Sequence, residues 1–172
     1  MKKKLYTSIG LMSGTSMDGV DLSIISSDGY HEFLNILDDY YEYDKNLQDQ
    51  LIFLRNLIET KEDLSKNLIK LRELERNLTI FNAEAVNQSL KKYNGKVDFV
   101  GFHGQTIFHN PKERITNQLG DGNLLSQIIK KKVVYDFRQA DINNNGQGAP
   151  LTPIFHHVLS KKIHQNYDIN FP

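Results

Sequence analysis

Apolar and polar residues alternate with period two at the start of the chain and again after a short polar gap. Leu5 to Ser13 reads as a first strand and Val20 to Ser27 as a second, with Val20-Asp21-Leu22-Ser23-Ile24 alternating strictly. Asp28-Gly29 signals a hairpin, so Tyr30 to Leu37 reads as a third strand of an antiparallel meander. The acidic, aromatic stretch Asp38 to Asp44 continues or ends it. From Asn46 to Lys92 the period changes. Leu47, Leu51, Leu54 and Ile58, then Leu64, Leu68, Leu71, Leu74, Leu78, Phe81, Ala85 and Leu90, predict two helices with a break near Glu59 to Asp63. Val97 to Phe102 is a short buried strand, and Thr106 to His109 another, closed by Asn110-Pro111. Asp121 caps a helix over Asn123 to Lys131, and Val133 to Tyr135 is a further buried strand. Asn143 to Gly148 is a loop, and Pro150 and Pro153 introduce a last helix from Thr152 to Ile163. A meander followed by strands alternating with helices predicts an α/β fold, a mixed sheet with flanking helices.

Four polar loops stand at predicted strand ends: Ser13 to Asp18, His103 to Gln105, Gly120 to Asn123, and Asp136 to Asp141. Ligands of open α/β sheets bind at the carboxyl ends of strands. The first loop belongs to Gly10-Leu-Met-Ser-Gly-Thr-Ser-Met-Asp-Gly-Val-Asp21, where glycines allow close backbone approach and hydroxyls donate. That suits a phosphate, although such turns also join strands and bind nothing. Asp18 and Asp21 repel phosphate, so they orient donors or hold a cation such as Mg²⁺, often through water. Asp136 and Arg138, two apart on an extended chain, share one face. They pair with each other, or they bind sugar hydroxyls and a carboxylate.

Composition narrows the classes. The 172 residues are 39% hydrophobic and 24% charged, enough for one core, and 21 basic residues balance 21 acidic ones. No field of one sign exists to draw nucleic acid or a membrane surface. The absence of cysteine removes disulfides, thiolate catalysis and Cys-ligated zinc. Met1-Lys-Lys-Lys4 precedes an apolar run too short for a leader, and no stretch reaches transmembrane length, so the cytoplasm is the expectation. His103, His109 and the pair His156-His157 match no zinc spacing, and neither a P-loop nor Gly-x-Ser-x-Gly occurs.

Met12-Ser-Gly-Thr-Ser-Met-Asp-Gly-Val-Asp21 resembles the amino-terminal signature of the anhydro-N-acetylmuramic acid kinases. Three further segments follow in the family's order: His103-Gly-Gln-Thr106 with His109 and Pro111, Gln118-Leu-Gly-Asp-Gly-Asn123, and Asp136-Phe-Arg138 with Asp141 and Gly146-Gln-Gly-Ala-Pro-Leu151. The resemblance runs from about Ile9 to about Val158. It implies a ribonuclease-H-like lobe of the actin and sugar-kinase type, with residues 1–172 as the amino-terminal lobe of a two-lobed kinase and the second lobe absent. It implies ATP and Mg²⁺ as cofactors and an amino sugar as substrate. The ATP-phosphate segment is Gly14, Thr15, Ser16, Met17, Asp18, Gly19, Val20 and Asp21. His103, Gln105, Asp121, Asp136 and Arg138 are the candidate substrate contacts. Family members open the 1,6-anhydro ring of the sugar and phosphorylate O6, in peptidoglycan recycling. The Asp-Thr-Gly-Pro-type motif carrying the family's catalytic base does not occur, so no catalytic residue is assigned. Three readings stay open: one lobe of a kinase whose other lobe is encoded separately or lost, a non-catalytic sugar- or phosphate-binding module, or an inactive remnant.

Overall fold

The computed structural model describes residues 4–167. The first three residues of the basic start and the terminal Phe171-Pro172 lie outside them. Among the described residues, seven strands and six α-helices follow one another as β1 (Tyr6–Met12), β2 (Gly19–Ser27), β3 (Phe33–Glu42), α1 (Lys45–Leu57), α2 (Lys61–Lys66), α3 (Leu68–Lys92), β4 (Phe99–Phe102), β5 (Gln105–Asn110), β6 (Ile115–Leu119), α4 (Gly122–Ile129), β7 (Val133–Tyr135), α5 (Gln139–Asn143) and α6 (Pro153–Tyr167), with a short 3-10 turn at Pro111–Glu113.

Five strands form one mixed sheet in the order β3-β2-β1-β4-β7. β1, β2 and β3 are an antiparallel meander, while β1, β4 and β7 run parallel, with Gly10 opposite Gly101 and Gly101 opposite Val134. This is the fold class expected of a kinase amino-terminal lobe. Period-two alternation decides the faces: Ile9, Leu11, Val20, Leu22 and Ile24 are buried, whereas Gly10, Met12 and Asp21 are exposed on the other side. The helical stripe of Leu51, Leu54, Leu71, Leu74, Leu78 and Val86 joins that core, with Val100 and Phe102 from β4.

Caps fix the helix starts. Asp44 accepts from Leu47 N at α1, and Asp121 accepts from Leu124 N at 2.9 Å at α4, the cap predicted for it. Several boundaries move from the sequence expectation. Between Asn46 and Lys92 there are three helices, because Thr60 and Asp63 build a capping box that starts α2 inside the expected break. Tyr30 is in the turn, not in β3, because the Asp28 carboxylate accepts from the backbone of Tyr30, His31 and Glu32. β3 therefore begins at Phe33 and runs through the acidic, aromatic stretch to Glu42. β5 pairs with β6, a strand absent from the sequence reading, in a separate two-stranded sheet. No helix among the described residues is long and apolar enough to cross a membrane.

Candidate functional site

Three parallel strands bring their carboxyl ends to one edge, and the polar loops converge there. Ser13 to Asp18 follows β1, His103-Gly104 follows β4, and Asp136 to Arg138 follows β7. Gly120-Asp121 joins them from behind: Glu75 Oε1 accepts from Gly120 N at 3.1 Å, and Thr79 Oγ1 accepts from Asp121 N at 3.0 Å. Both acceptors stand on α3, so the longest helix holds the loop that starts α4.

The Ser13–Asp18 turn is rigidly mounted. Tyr43 Oη donates to Ser13 Oγ at 2.8 Å, and Ser13 Oγ donates to Gln105 Oε1 at 2.5 Å, with the Gly19 carbonyl 3.1 Å away as a second acceptor. Gln105 Nε2 donates to the Gly14 carbonyl at 3.1 Å. The Tyr43 phenol, buried, is pushed up to about 12, with the Ser13 bond pulling the other way. Met17 adopts a left-handed backbone, φ 55°, and sinks its side chain into the core. Gly19 lies so close to β3 that a Cβ would stand 2.5 Å from the Tyr41 carbonyl and 2.6 Å from the Tyr40 ring. The anchored turn presents Thr15, Ser16 and Asp18 outward, with Ser16 Oγ donating to Asp18 Oδ1 at 2.7 Å. That bond holds the Asp18 carboxyl below its usual value.

His103 separates two cavities. One, of about 240 Å³, is polar and is lined among others by Thr116, Gln118, Gly120, Asp136 and Gln139. The other, of about 580 Å³, is walled by Met12, Phe137, Pro150 and Leu151 with Arg138. Arg138 Nε donates to His103 Nε2 at 2.9 Å, and Arg138 Nη1 donates to the Gly148 carbonyl at 2.5 Å. His103 Nδ1 lies 2.8 Å from the Gly104 carbonyl. Because Nε2 accepts, Nδ1 carries the proton and the ring is neutral. Burial pushes the imidazole below its ordinary value, the Arg138 charge adds to this, and the Gly104 carbonyl opposes it.

The expected one-sided placement of Asp136 and Arg138 does not hold. Asp136 is left-handed, φ 58°, and Arg138 is helical, so the chain turns between them. Their side chains enter different cavities and form no ion pair. Of the other candidates, Gln105 is 1% exposed and its amide is taken up by Ser13 and Gly14. The Asp121 carboxylate caps α4, and Met17, Gly19 and Val20 are buried. Thr15, Ser16, Asp18, Asp21 and Asp136 remain exposed. Tyr43, Glu75 and Thr79 escaped the sequence reading, because their roles come from contacts distant in sequence.

The model of the anhydro-N-acetylmuramic acid kinase family matches residues 6–169. The chain belongs to this family. An anhydro-N-acetylmuramic acid kinase of Pelagibacter ubique is 55% identical over 164 residues, covering 95% of this chain and 43% of that protein. Kinases of the same name from Agrobacterium fabrum and Rhizobium johnstonii are each 40% identical, over 96% and 94% of this chain and 45% and 44% of theirs. The chain thus spans less than half the length of the curated kinases it matches.

Proposed function

We propose that this chain is the amino-terminal lobe of a two-lobed anhydro-N-acetylmuramic acid kinase, and that with a second lobe it opens the 1,6-anhydro ring and phosphorylates O6. The convergence of the anchored turn, His103 and Asp136 at the carboxyl ends of β1, β4 and β7 carries this reading, beside membership of the family. The reaction takes place in the cytoplasm.

ATP supplies the phosphoryl group, with Mg²⁺ offsetting its charge. The donors of the turn fit a phosphate: the Thr15 and Ser16 hydroxyls face outward beside Gly14, on a backbone that Met17, Gly19 and Val20 fix. Asp18, ionised at neutral pH, suits a phosphate-bound cation through water, and Asp21 stands exposed on β2 three residues further on. No group of three or more His, Asp or Glu among the described residues is arranged to hold a metal by itself, so the phosphates would carry most of the coordination. Asp136 faces sugar hydroxyls. Gln105 and Asp121 serve by holding the turn and the α4 entrance in place. The base that activates water belongs to the second lobe, because the family's Asp-Thr-Gly-Pro-type motif is missing from this sequence.

The test is turnover. The purified chain is incubated with Mg-ATP and 1,6-anhydro-N-acetylmuramic acid, alone and with the complementary half of the Pelagibacter kinase, and phosphorus NMR reads the 6-phosphate. Product only in the mixture is expected. No product in either, with nucleotide binding also absent, overturns the kinase reading and favours a remnant.

A further inference from the structure

We propose that His103 is a positioning residue that, as the neutral imidazole, aims Arg138 at the carboxylate of the ligand. This rests on the kinase reading above for the identity of that ligand.

Both ring nitrogens of His103 are already engaged, Nδ1 with the Gly104 carbonyl and Nε2 with Arg138 Nε–H. The ring therefore has no polar atom left for a substrate, and its influence passes through Arg138. The guanidinium is held at two points, by His103 and by the Gly148 carbonyl. Gly148 is itself pinned, since its N–H donates to Asp141 Oδ2 at 2.6 Å and its φ is +66°. Arg138 Nη2 meets no acceptor among the described residues. Burial lowers the guanidinium's pKa, but the group stays cationic.

The surroundings of that free edge select the partner. Among the described residues, Arg138 is the one permanently charged side chain lining the larger of the two cavities, whose other walls include Met12, Phe137, Pro150 and Leu151. A cation with unused parallel donors among apolar groups suits a small carboxylate bearing hydrocarbon. The lactyl group of a muramic acid has this chemistry, a carboxylate beside a methyl. The polar cavity across His103 suits the hydroxylated ring of the same molecule. His103 stands between the two.

Protonating His103 removes the acceptor for Arg138 Nε–H and sets two cations against each other. The other titratable groups nearby are Asp136, which lines the polar cavity, Tyr135, at the end of β7, and Asp141, which holds Gly148 on the far side of Arg138. None of them accepts from Arg138, so none substitutes for the imidazole.

Two measurements decide this. Nitrogen NMR of the ring in the 172-residue chain should show Nδ1 protonated and Nε2 bare at neutral pH, and Arg138→Ala should raise the pKa of His103. An Nε2–H tautomer, or a pKa unmoved by Arg138→Ala, overturns the positioning. Calorimetry then compares 1,6-anhydro-N-acetylmuramic acid with 1,6-anhydro-N-acetylglucosamine, which lacks the carboxylate, between pH 8 and pH 5. The wild-type affinity for the acid should fall about tenfold once the pH passes below the depressed His103 pKa that the ring spectrum reads, the worth of one charge-assisted hydrogen bond. His103→Gln, which keeps an acceptor but does not titrate, should bind the acid with little pH dependence, and His103→Ala should bind it weakly throughout. The neutral sugar should show no such fall. Equal pH dependence in wild type and His103→Gln, or an equal fall for both sugars, overturns the proposal. If neither sugar binds the chain at any pH, the anion assignment is overturned, whereas the kinase reading is decided by the turnover test and the ring spectrum still decides whether His103 positions Arg138.

Discussion

The Ser13 hydroxyl and the Gln105 amide oxygen lie 2.5 Å apart although 92 residues separate them in the chain. This bond ties the turn after β1 to the first residue of β5, and Tyr43 completes it from the end of β3. The polar turn after β1 is thus held by a buried network, whose members become costly when one is removed.

Gln105→Leu removes the nearer of the two acceptors of Ser13, leaving the Gly19 carbonyl, and removes the donor to the Gly14 carbonyl. Stranding buried polar groups costs about 1–3 kcal/mol each. The urea midpoint should fall accordingly, and nucleotide affinity should fall with it as the turn loosens. An unchanged midpoint would show that the network is dispensable.

Tyr43 gives the network a pH limit. Its phenol is pushed up to about 12, above the unfolded value of 10.0, so the stability it contributes is complete below pH 10 and is lost as pH rises toward 12. Tyr43→Phe should be less stable than wild type at pH 7, by about 1 kcal/mol for one hydrogen bond. It should also lose less stability than wild type between pH 9 and pH 11. Parallel urea midpoints across that range would contradict this.

Two glycines should respond in opposite ways. A Cβ at Gly19 would stand 2.5 Å from the Tyr41 carbonyl, a backbone atom that cannot move aside cheaply, whereas nothing lies within 4 Å of a Cβ at Gly10. Gly19→Ala should cost about 1–3 kcal/mol, in the range of overpacking. Gly10→Ala should be neutral or slightly stabilising. Thermal melts of the two variants side by side make the comparison.

Asp39 ties β3 to the end of α3. The Lys92 ammonium, then the Ser89 hydroxyl, hold its carboxyl below the usual range. Its contribution is present above the unfolded carboxylate value and is lost as pH falls through the lower folded one. Asp39→Asn should therefore lower the urea midpoint at pH 7, with the gap to wild type closing toward pH 3. A gap of constant size would remove charge from the explanation.

The sheet was largely legible in the sequence because alternation reports burial directly. Val20 to Ile24 and Phe99 to Phe102 read as strands by pattern alone, although Val97 and Asp98, part of the same expected strand, stay outside β4, and Asp121 announces its helix. β6 was not legible, because Thr116, Asn117 and Gln118 carry no apolar alternation and the strand exists through its pairing with β5. The site was legible as a set of loops but not as a geometry. The spacing of Asp136 and Arg138 predicts one extended face, and the left-handed φ at Asp136 sends them apart. A positive φ at a non-glycine residue leaves little trace in sequence. The pairings Ser13 with Gln105 and His103 with Arg138 join distant segments, and no local pattern announces them.

The pairing of β1 on both sides has a kinetic consequence. With β2 it closes a short turn, whereas with β4 it sets Ser8 beside Phe99 across the whole helical segment. Local pairings form sooner than those that must first close a long loop. On this ground the meander should assemble first, with β4 and β7 docking once the helices between have shortened the gap. The edge where the polar loops meet is completed only in that last step. It should likewise be the first part to open under mild denaturant, which amide exchange at Val100 and Val134, compared with Leu22 and Ile24, would register.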